Sequence, residues 1–321
     1  MQNKFGMDLE PSIRQFIEKT SADYARHRAG NGNPTPAETR RVAELVREPW
    51  RQGGPTMFNT KETLVPTRQG MTRIRAYYPH PEPAPALVYM HGGGWTIFSL
   101  DTHDRLMREY AARAGVVVIG VDYALSPEAR FPVAHQQCVD VTRWVCAHGA
   151  ELGIDPARIA VGGDSAGGNL AIGSCLALRD SGSGDLVKAL ILNYASFGGD
   201  FTDEYHERFG GPDYMLGSQE VGRFLEQYLS TPEDRNDPLL RIINAELSHL
   251  PPIFLAIPEC DLLTCQSLEM LPRLEAAGVG VHPAFYEGAC HSFLEAMSIS
   301  PVANRALDEE AAWLRGVFNL E

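Results

Sequence analysis

Val161-Gly162-Gly163-Asp164-Ser165-Ala166-Gly167-Gly168-Asn169 is the stretch on which the reading of this chain turns. The apolar run Arg158-Ile159-Ala160-Val161 enters it in the manner of a buried strand, and the small and apolar run from Ala171 to Leu178 leaves it in the manner of a helix. Gly163 to Gly167 fits G-x-S-x-G, a sharp strand-to-helix turn that pushes a serine hydroxyl out of the backbone. Such a turn is strained, and the residues two before and two after the serine pack where a side chain would clash. The five residues alone fit a packing turn or a phosphate-binding turn equally well, so the rest of the chain has to decide.

Outward from the turn, strand and helix alternate. Toward the N-terminus, Met71 to Tyr78 and Ala86 to Met90 read as strands. A helix from Arg105 to Ala114 follows, with Asp101 or Thr102 as its N-cap, and then a buried strand from Val116 to Val121 and a helix from Ala134 to Cys146. Toward the C-terminus, Leu186 to Asn193 is a strand. The alternation then fails between Ser196 and Arg241, where only Gln219 to Leu229 has helical spacing. It resumes with a strand from Ile253 to Ile257, a helix from Leu268 to Ala277, a strand from Val281 to Tyr286 and a helix from Val302 to Phe318. Pro283 in the last strand removes a ladder hydrogen bond, which places that strand at a sheet edge. The pattern predicts an α/β fold, a mostly parallel sheet with helices on both faces. Two amphipathic helices precede it, Pro11 to Ala29 and a second one through Arg47, capped by Thr35 with Glu38 three residues on.

The 321 residues suffice for one large α/β domain or a domain with a lid, and 44% apolar residues is ordinary for a globular chain. A formal net charge of −13 disfavours nucleic acid and polyanionic substrates as partners. No apolar run approaches the roughly 20 residues of a membrane span, and Met1 to Asp8 lack the apolar core of a signal peptide. The six cysteines, Cys138, Cys146, Cys175, Cys260, Cys265 and Cys290, form no C-x-x-C pair and read as buried thiols of a cytoplasmic protein. No metal-ligand cluster is evident, so no metal is expected.

A serine hydroxyl becomes a nucleophile when a base takes its proton, and the base needs an acid to fix its tautomer. On G-x-S-x-G enzymes of α/β architecture the acid and then the histidine follow the serine, each at the end of a later strand. Asp261 stands just past the strand at 253–257 and His291 just past the strand at 281–286. Their rivals are Glu259, nearer its strand and suited to support, and His282, inside its strand beside Pro283. Read singly, Asp261 serves equally as a helix cap and His291 as a loop histidine; read with Ser165, and in order, they form a triad. An oxyanion needs N–H donors as well. His91-Gly92-Gly93-Gly94-Trp95 follows the strand at 86–90, and its three consecutive glycines let successive N–H groups converge. The candidate oxyanion donors are Gly92, Gly93, Gly94 and Ala166, with His91 shaping the loop and Trp95 and Phe98 as candidates for a pocket wall. Phe197, Phe209 and Tyr214 in the irregular segment either shorten an acyl pocket or pack a cap.

These residues resemble the hormone-sensitive-lipase-like esterases. The likeness is carried by His91 to Trp95, Val121 to Glu128 with Phe131-Pro132, Gly163 to Leu170, and Asp261 and His291 in their contexts; it runs from about Met71 to the C-terminus. Arg75 to Pro79, Leu100 to Asp104 and Ser126 to Pro132 look closest to the bacterial acetyl esterases of that group. The resemblance implies an eight-stranded α/β-hydrolase core and a helical cap. It also implies no cofactor and hydrolysis of short-chain acyl esters. The chain departs from the family at two points. Asp261-Leu262-Leu263-Thr264-Cys265 stands where the family often has Asp-Pro-Leu and a second carboxylate, and His291-Ser292-Phe293 stands for His-Gly-Phe.

The expectation is therefore a serine carboxylesterase for a small-molecule ester, acting as a monomer or homodimer. Residues 1–55 and the insertion 196–241 would contribute the cap, and 56–195 and 242–321 the core. A deacetylase of acylated sugars or an amidase on the same three residues, and a non-catalytic binding or interaction protein on the same fold, are the alternatives.

Overall fold

The computed structural model describes residues 8–28, 32 and 34–320. Ala29 of the first expected helix, and Asn31 and Asn33 of the break after it, lie outside them. Two helices come first, α1 (Pro11–Arg28) and α2 (Pro36–Arg51). Thr35 and Glu38 cap α2 reciprocally: the Thr35 hydroxyl accepts from the Glu38 N–H at 3.2 Å, and the Glu38 carboxylate accepts from the Thr35 N–H at 2.8 Å.

The sheet has eight strands: β1 (Asn59–Thr67), β2 (Gly70–Tyr78), β3 (Ala84–Met90), β4 (Val117–Asp122), β5 (Ile154–Asp164), β6 (Ala189–Asn193), β7 (Ile253–Cys260) and β8 (Val281–Cys290). They lie side by side in the order β1, β2, β4, β3, β5, β6, β7, β8. β1 and β2 pair antiparallel with their neighbours, and every pairing from β4 to β8 is parallel. All seven residues of β3 are buried, as a central strand covered on both faces requires. Its side chains divide between two layers by the period of the pleat. Val88 and Met90 pack with α4 (Val133–His148), α5 (Ala166–Asp180) and α8 (Thr264–Ala276); Leu87 and Tyr89 pack with α3 (Asp104–Ala114) and α9 (Pro301–Phe318). The edge position of β8 accommodates Pro283.

The structure differs from the expected pattern where side chains give weak signals. β1 was not expected, and only Val65 in it is buried, so Asn-Thr-Lys-Glu-Thr carries no apolar period. The insertion holds α6 (Asp203–Phe209) as well as α7 (Ser218–Tyr228), and Phe209 alone of α6 is buried. The N-cap of α3 is His103 rather than Asp101 or Thr102. Asp101 pairs instead with Arg75 at 2.7 Å, and the Thr102 hydroxyl donates to the Ser99 carbonyl at 2.9 Å. All six cysteines are free, and all but the half-buried Cys146 are buried.

One consequence of the strand lengths positions the site. β3, β5, β7 and β8 end at Met90, Asp164, Cys260 and Cys290, so His91, Ser165, Asp261 and His291 are each the first residue beyond a parallel strand. In an open α/β sheet the crevice outside these carboxyl ends is where ligands bind.

Candidate active site

Ser165 sits at φ 55°, ψ −119°, a backbone conformation that costs a non-glycine residue roughly 1–3 kcal/mol. The surroundings hold it there. Its N–H donates to the Asn193 carbonyl at 2.9 Å, and its own carbonyl accepts from Asn169 and Ser196 at 3.2 and 3.1 Å. The flanking glycines admit this turn because no side chain fits. A Cβ on Gly167 would lie 2.0 Å from the Met90 carbonyl oxygen, and one on Gly163 would lie 2.5 Å from the same atom.

Three residues far apart in sequence meet above this turn. His291 Nε2 lies 2.8 Å from Ser165 Oγ, and His291 Nδ1 lies 2.7 Å from Asp261 Oδ2. The other carboxylate oxygen of Asp261 accepts the Leu263 N–H at 2.9 Å. With Asp261 accepting at Nδ1, the imidazole carries its proton there and leaves Nε2 free to accept from the serine hydroxyl. Burial pulls the His291 pKa down, but the carboxylates of Asp261, Asp164 and Glu220 together lift it above the ordinary histidine value. Ser292, standing for the family's glycine, adopts the left-handed φ of 60° that glycine takes without strain.

The two rival residues lie elsewhere. Glu259 accepts the Gly288 N–H at 2.9 Å and so fastens the bend in β8 that leads to His291. His282 is an exposed residue of β8, its ring 5.1 Å from that of Phe254.

The glycine loop after β3 is tightly wound. Gly93, Gly94, Trp95 and Phe98 all have positive φ, and the Gly93 carbonyl accepts from both Thr96 and Ile97 at 3.0 Å. Gly92 differs from its neighbours: its N–H donates to Asp164 Oδ1 at 3.1 Å. It is therefore a strut of the loop, and its place among the expected oxyanion donors is corrected on that ground. Gly93, Gly94 and Ala166 line one cavity with Ser165 and His291. Ala166 opens α5, so its N–H is among those that a helix start leaves without an intrahelical partner. His91 is buried, stacked on Tyr123 at 4.4 Å, with Nδ1 2.7 Å from the Gly92 carbonyl. Burial, then the neighbouring His103, depress its pKa to about 3, so it is neutral and donates to that carbonyl.

Asp164 and His103 are functional neighbours that the sequence reading did not single out. Asp164 accepts from Tyr89 Oη at 2.9 Å and from Gly92, and faces His103 Nε2 at 3.4 Å. Burial opposes ionisation of both, yet each holds the other charged: the Asp164 pKa is lowered and that of His103 raised. The pair couples the turn around Ser165 to the glycine loop. Position alone could have marked Asp164, since it occupies the variable place just before the serine.

The cavity over Ser165 has a volume of about 1210 Å³. Trp95 lines it, stacked on Tyr228 at 4.5 Å with the rings 1° from parallel, and Phe98 lies under the Arg47 guanidinium at 4.7 Å. Of the three aromatic residues noted in the insertion, Tyr214 lines the cavity, whereas Phe197 and Phe209 are fully buried packing residues. Phe224 of α7, not noted from sequence, covers the glycine loop so closely that a Cβ on Gly94 would lie 2.3 Å from its ring. α2 grips the same loops. Arg40 Nε donates to the Thr96 carbonyl at 2.9 Å, and Arg47 forms a buried ion pair with Glu295, just beyond His291, at 2.5 Å.

A family model described as the alpha/beta hydrolase fold matches residues 87–295. The chain is 36% identical over 279 residues to the acetyl esterase of Salmonella choleraesuis, covering 85% of each protein. Among solved structures, the hyperthermophilic esterase from Pyrobaculum calidifontis superposes with a TM-score of 0.89 at 32% identity, over 97% of this chain and 99% of the other. The carboxylesterase EstE1, cloned from a metagenomic library, gives 0.85 at 33% identity, over 88% and 98%.

Proposed function

The chain belongs to the hormone-sensitive-lipase-like family of α/β-hydrolases and is a carboxylic ester hydrolase, and from that premise we propose that it cleaves short-chain acyl esters through an acyl-enzyme on Ser165. The observation that carries this reading is the relay of 2.8 and 2.7 Å joining Ser165 Oγ, the two ring nitrogens of His291 and Asp261.

In this reading Ser165 Oγ attacks the ester carbonyl as His291 Nε2 takes its proton, and Asp261 holds the imidazole and balances its new charge. The carbonyl oxygen becomes an oxyanion facing the N–H groups of Gly93, Gly94 and Ala166, where a single donor stabilises the transition state by about 2.7–4 kcal/mol. Collapse expels the alcohol, which takes the proton from His291. Water then attacks the acyl-serine by the same steps in reverse roles. His91 and the Asp164–His103 pair touch no reacting atom; they fix the loop and the turn.

We assign a cap to α1, α2 and the segment from 196 to 241, supported by the contacts that Arg40, Arg47 and Phe224 make over the catalytic loops. The short-acyl preference draws support from the acetyl esterase named above and from Trp95, which lines the cavity and is held by its stack on the buried Tyr228. The test is a series of p-nitrophenyl esters from acetyl to decanoyl. Falling kcat/KM with chain length, with a burst of p-nitrophenol on the fast substrates, is expected; a rise toward decanoyl contradicts the acyl assignment.

A further inference from the structure

The cavity is far larger than a short acyl group needs: an acetyl group fills roughly two water volumes, ~60 Å³, against about 1210 Å³ available. The remainder leaves room for the alcohol, and part of its wall is polar. α7 contributes Glu220 and Arg223, and α1 contributes Tyr24 and Arg28, all lining the cavity. Glu220 is half-buried, and among the described residues no hydrogen bond or ion pair engages its carboxylate. Burial raises its pKa, while Arg28 of α1, Arg223 of its own helix, His291 of the catalytic loop and Arg47 of α2 pull it down. Arg47 is already committed to Glu295, and Arg28 lies over the Tyr24 ring at 4.6 Å.

A half-buried carboxylate that lines the cavity with no partner of its own is open to a donor from the ligand. The neighbours decide which ligand. An ammonium group would meet the guanidinium groups of Arg28 and Arg223, and an anion would meet Glu220. A plain alkyl group would leave every polar atom unserved. A hydroxyl donates to the carboxylate and accepts from a guanidinium, and several on one alcohol would satisfy the set together. Tyr24, Tyr214 and Phe224 also line the cavity, and aromatic side chains suit the apolar face of a sugar ring.

We propose that Glu220, with Arg28 and Arg223, binds the hydroxyl groups of a polyhydroxylated alcohol, so that the preferred substrates are short acyl esters of polyols or monosaccharides. The proposal rests on the short-acyl reading above and names the other half of the ester. Glu220 is a specificity-determining residue in it and touches no reacting atom.

The test compares methyl 6-O-acetyl-glucopyranoside with cyclohexylmethyl acetate. Both release a primary alcohol on a six-membered ring, and they differ mainly in ring hydroxyls. Rates are normalised to sites titrated with a fluorophosphonate, which counts folded enzyme in every variant. The proposal expects kcat/KM at least about tenfold higher for the glucoside, and a fall of that ratio by about tenfold or more in Glu220→Leu, carried by KM. Glu220→Gln, which keeps an acceptor oxygen, is expected to lie between. A ratio at or below one in the unaltered enzyme, or a ratio that Glu220→Leu leaves in place, overturns it. So does a Glu220-dependent preference for acetylcholine over 3,3-dimethylbutyl acetate, which would assign the site to a cation. Turnover of p-nitrophenyl acetate without preference for the glucoside refutes this proposal alone; no turnover of either refutes the esterase mechanism beneath it.

Discussion

The floor and the roof of the cavity are built on opposite terms. On the floor, Asp164, Asp261 and His291 are buried, and each has its polar atoms committed to named partners at the ends of parallel strands. On the roof, Glu220 projects from a helix of the insertion with no group holding its carboxylate among the described residues. The difference follows from what each part has to do. Chemistry needs atoms held within a fraction of an ångström before the substrate arrives, so the floor satisfies its polar groups internally. Recognition leaves groups for the substrate to satisfy.

The comparison is broken most severely at the floor. Ser165→Ala is expected to lower kcat on p-nitrophenyl acetate by about 10⁴-fold or more, since the remaining groups have no nucleophile to serve. Asp261→Asn keeps the shape but offers His291 a donor where it needs an acceptor, which favours the wrong tautomer; a loss on the order of 10⁴-fold in kcat is expected. Gly93→Ala places a Cβ 2.3 Å from the Ile97 carbonyl oxygen at a φ of 110°, so the loop must shift. Loss of a well-placed oxyanion donor there should cost about 10²–10³-fold in kcat with little change in KM.

A pH profile sharpens the same contrast. His291 accepts a proton only when neutral, so kcat/KM falls as pH drops through its folded-state pKa. Because Asp261, Asp164 and Glu220 raise that pKa, the acidic limb should have its midpoint above 6.5, the ordinary histidine value. Glu220→Gln removes one of the raising charges and should move the midpoint down; a midpoint at or below 6.5 in the unaltered enzyme would contradict this placement of charge. The smallest effect is expected in the N-terminal helices. Thr35→Ala breaks the reciprocal cap of α2 and should lower stability by about 1 kcal/mol in urea unfolding, leaving kcat within twofold.

How much of this was legible in the sequence follows the same division. The turn at Ser165 could be read because its glycines are demanded by backbone contacts closer than any side chain allows. Asp261 and His291 could be placed near strand ends because Ile253 to Ile257 is an apolar run and Pro283 marks Val281 to Tyr286 as an edge strand, although both strands run further, to Cys260 and Cys290. β1 could not, because its side chains are mostly exposed and follow no apolar alternation. Nor could the role of Gly92, which depends on where the Asp164 carboxylate turns, across 72 residues of chain. Glu220 lay hidden for a different reason: on the helix Ser-Gln-Glu-Val-Gly-Arg-Phe a charged residue reads as a solvated face until the fold turns it over a cavity.

The most direct measurement is intact-mass and peptide mapping after reaction with a fluorophosphonate. The account predicts one adduct per chain, on Ser165, formed rapidly in the unaltered enzyme, slowed by orders of magnitude in His291→Ala and absent in Ser165→Ala. An adduct on another residue, or equal labelling rates with and without the imidazole of His291, would contradict it.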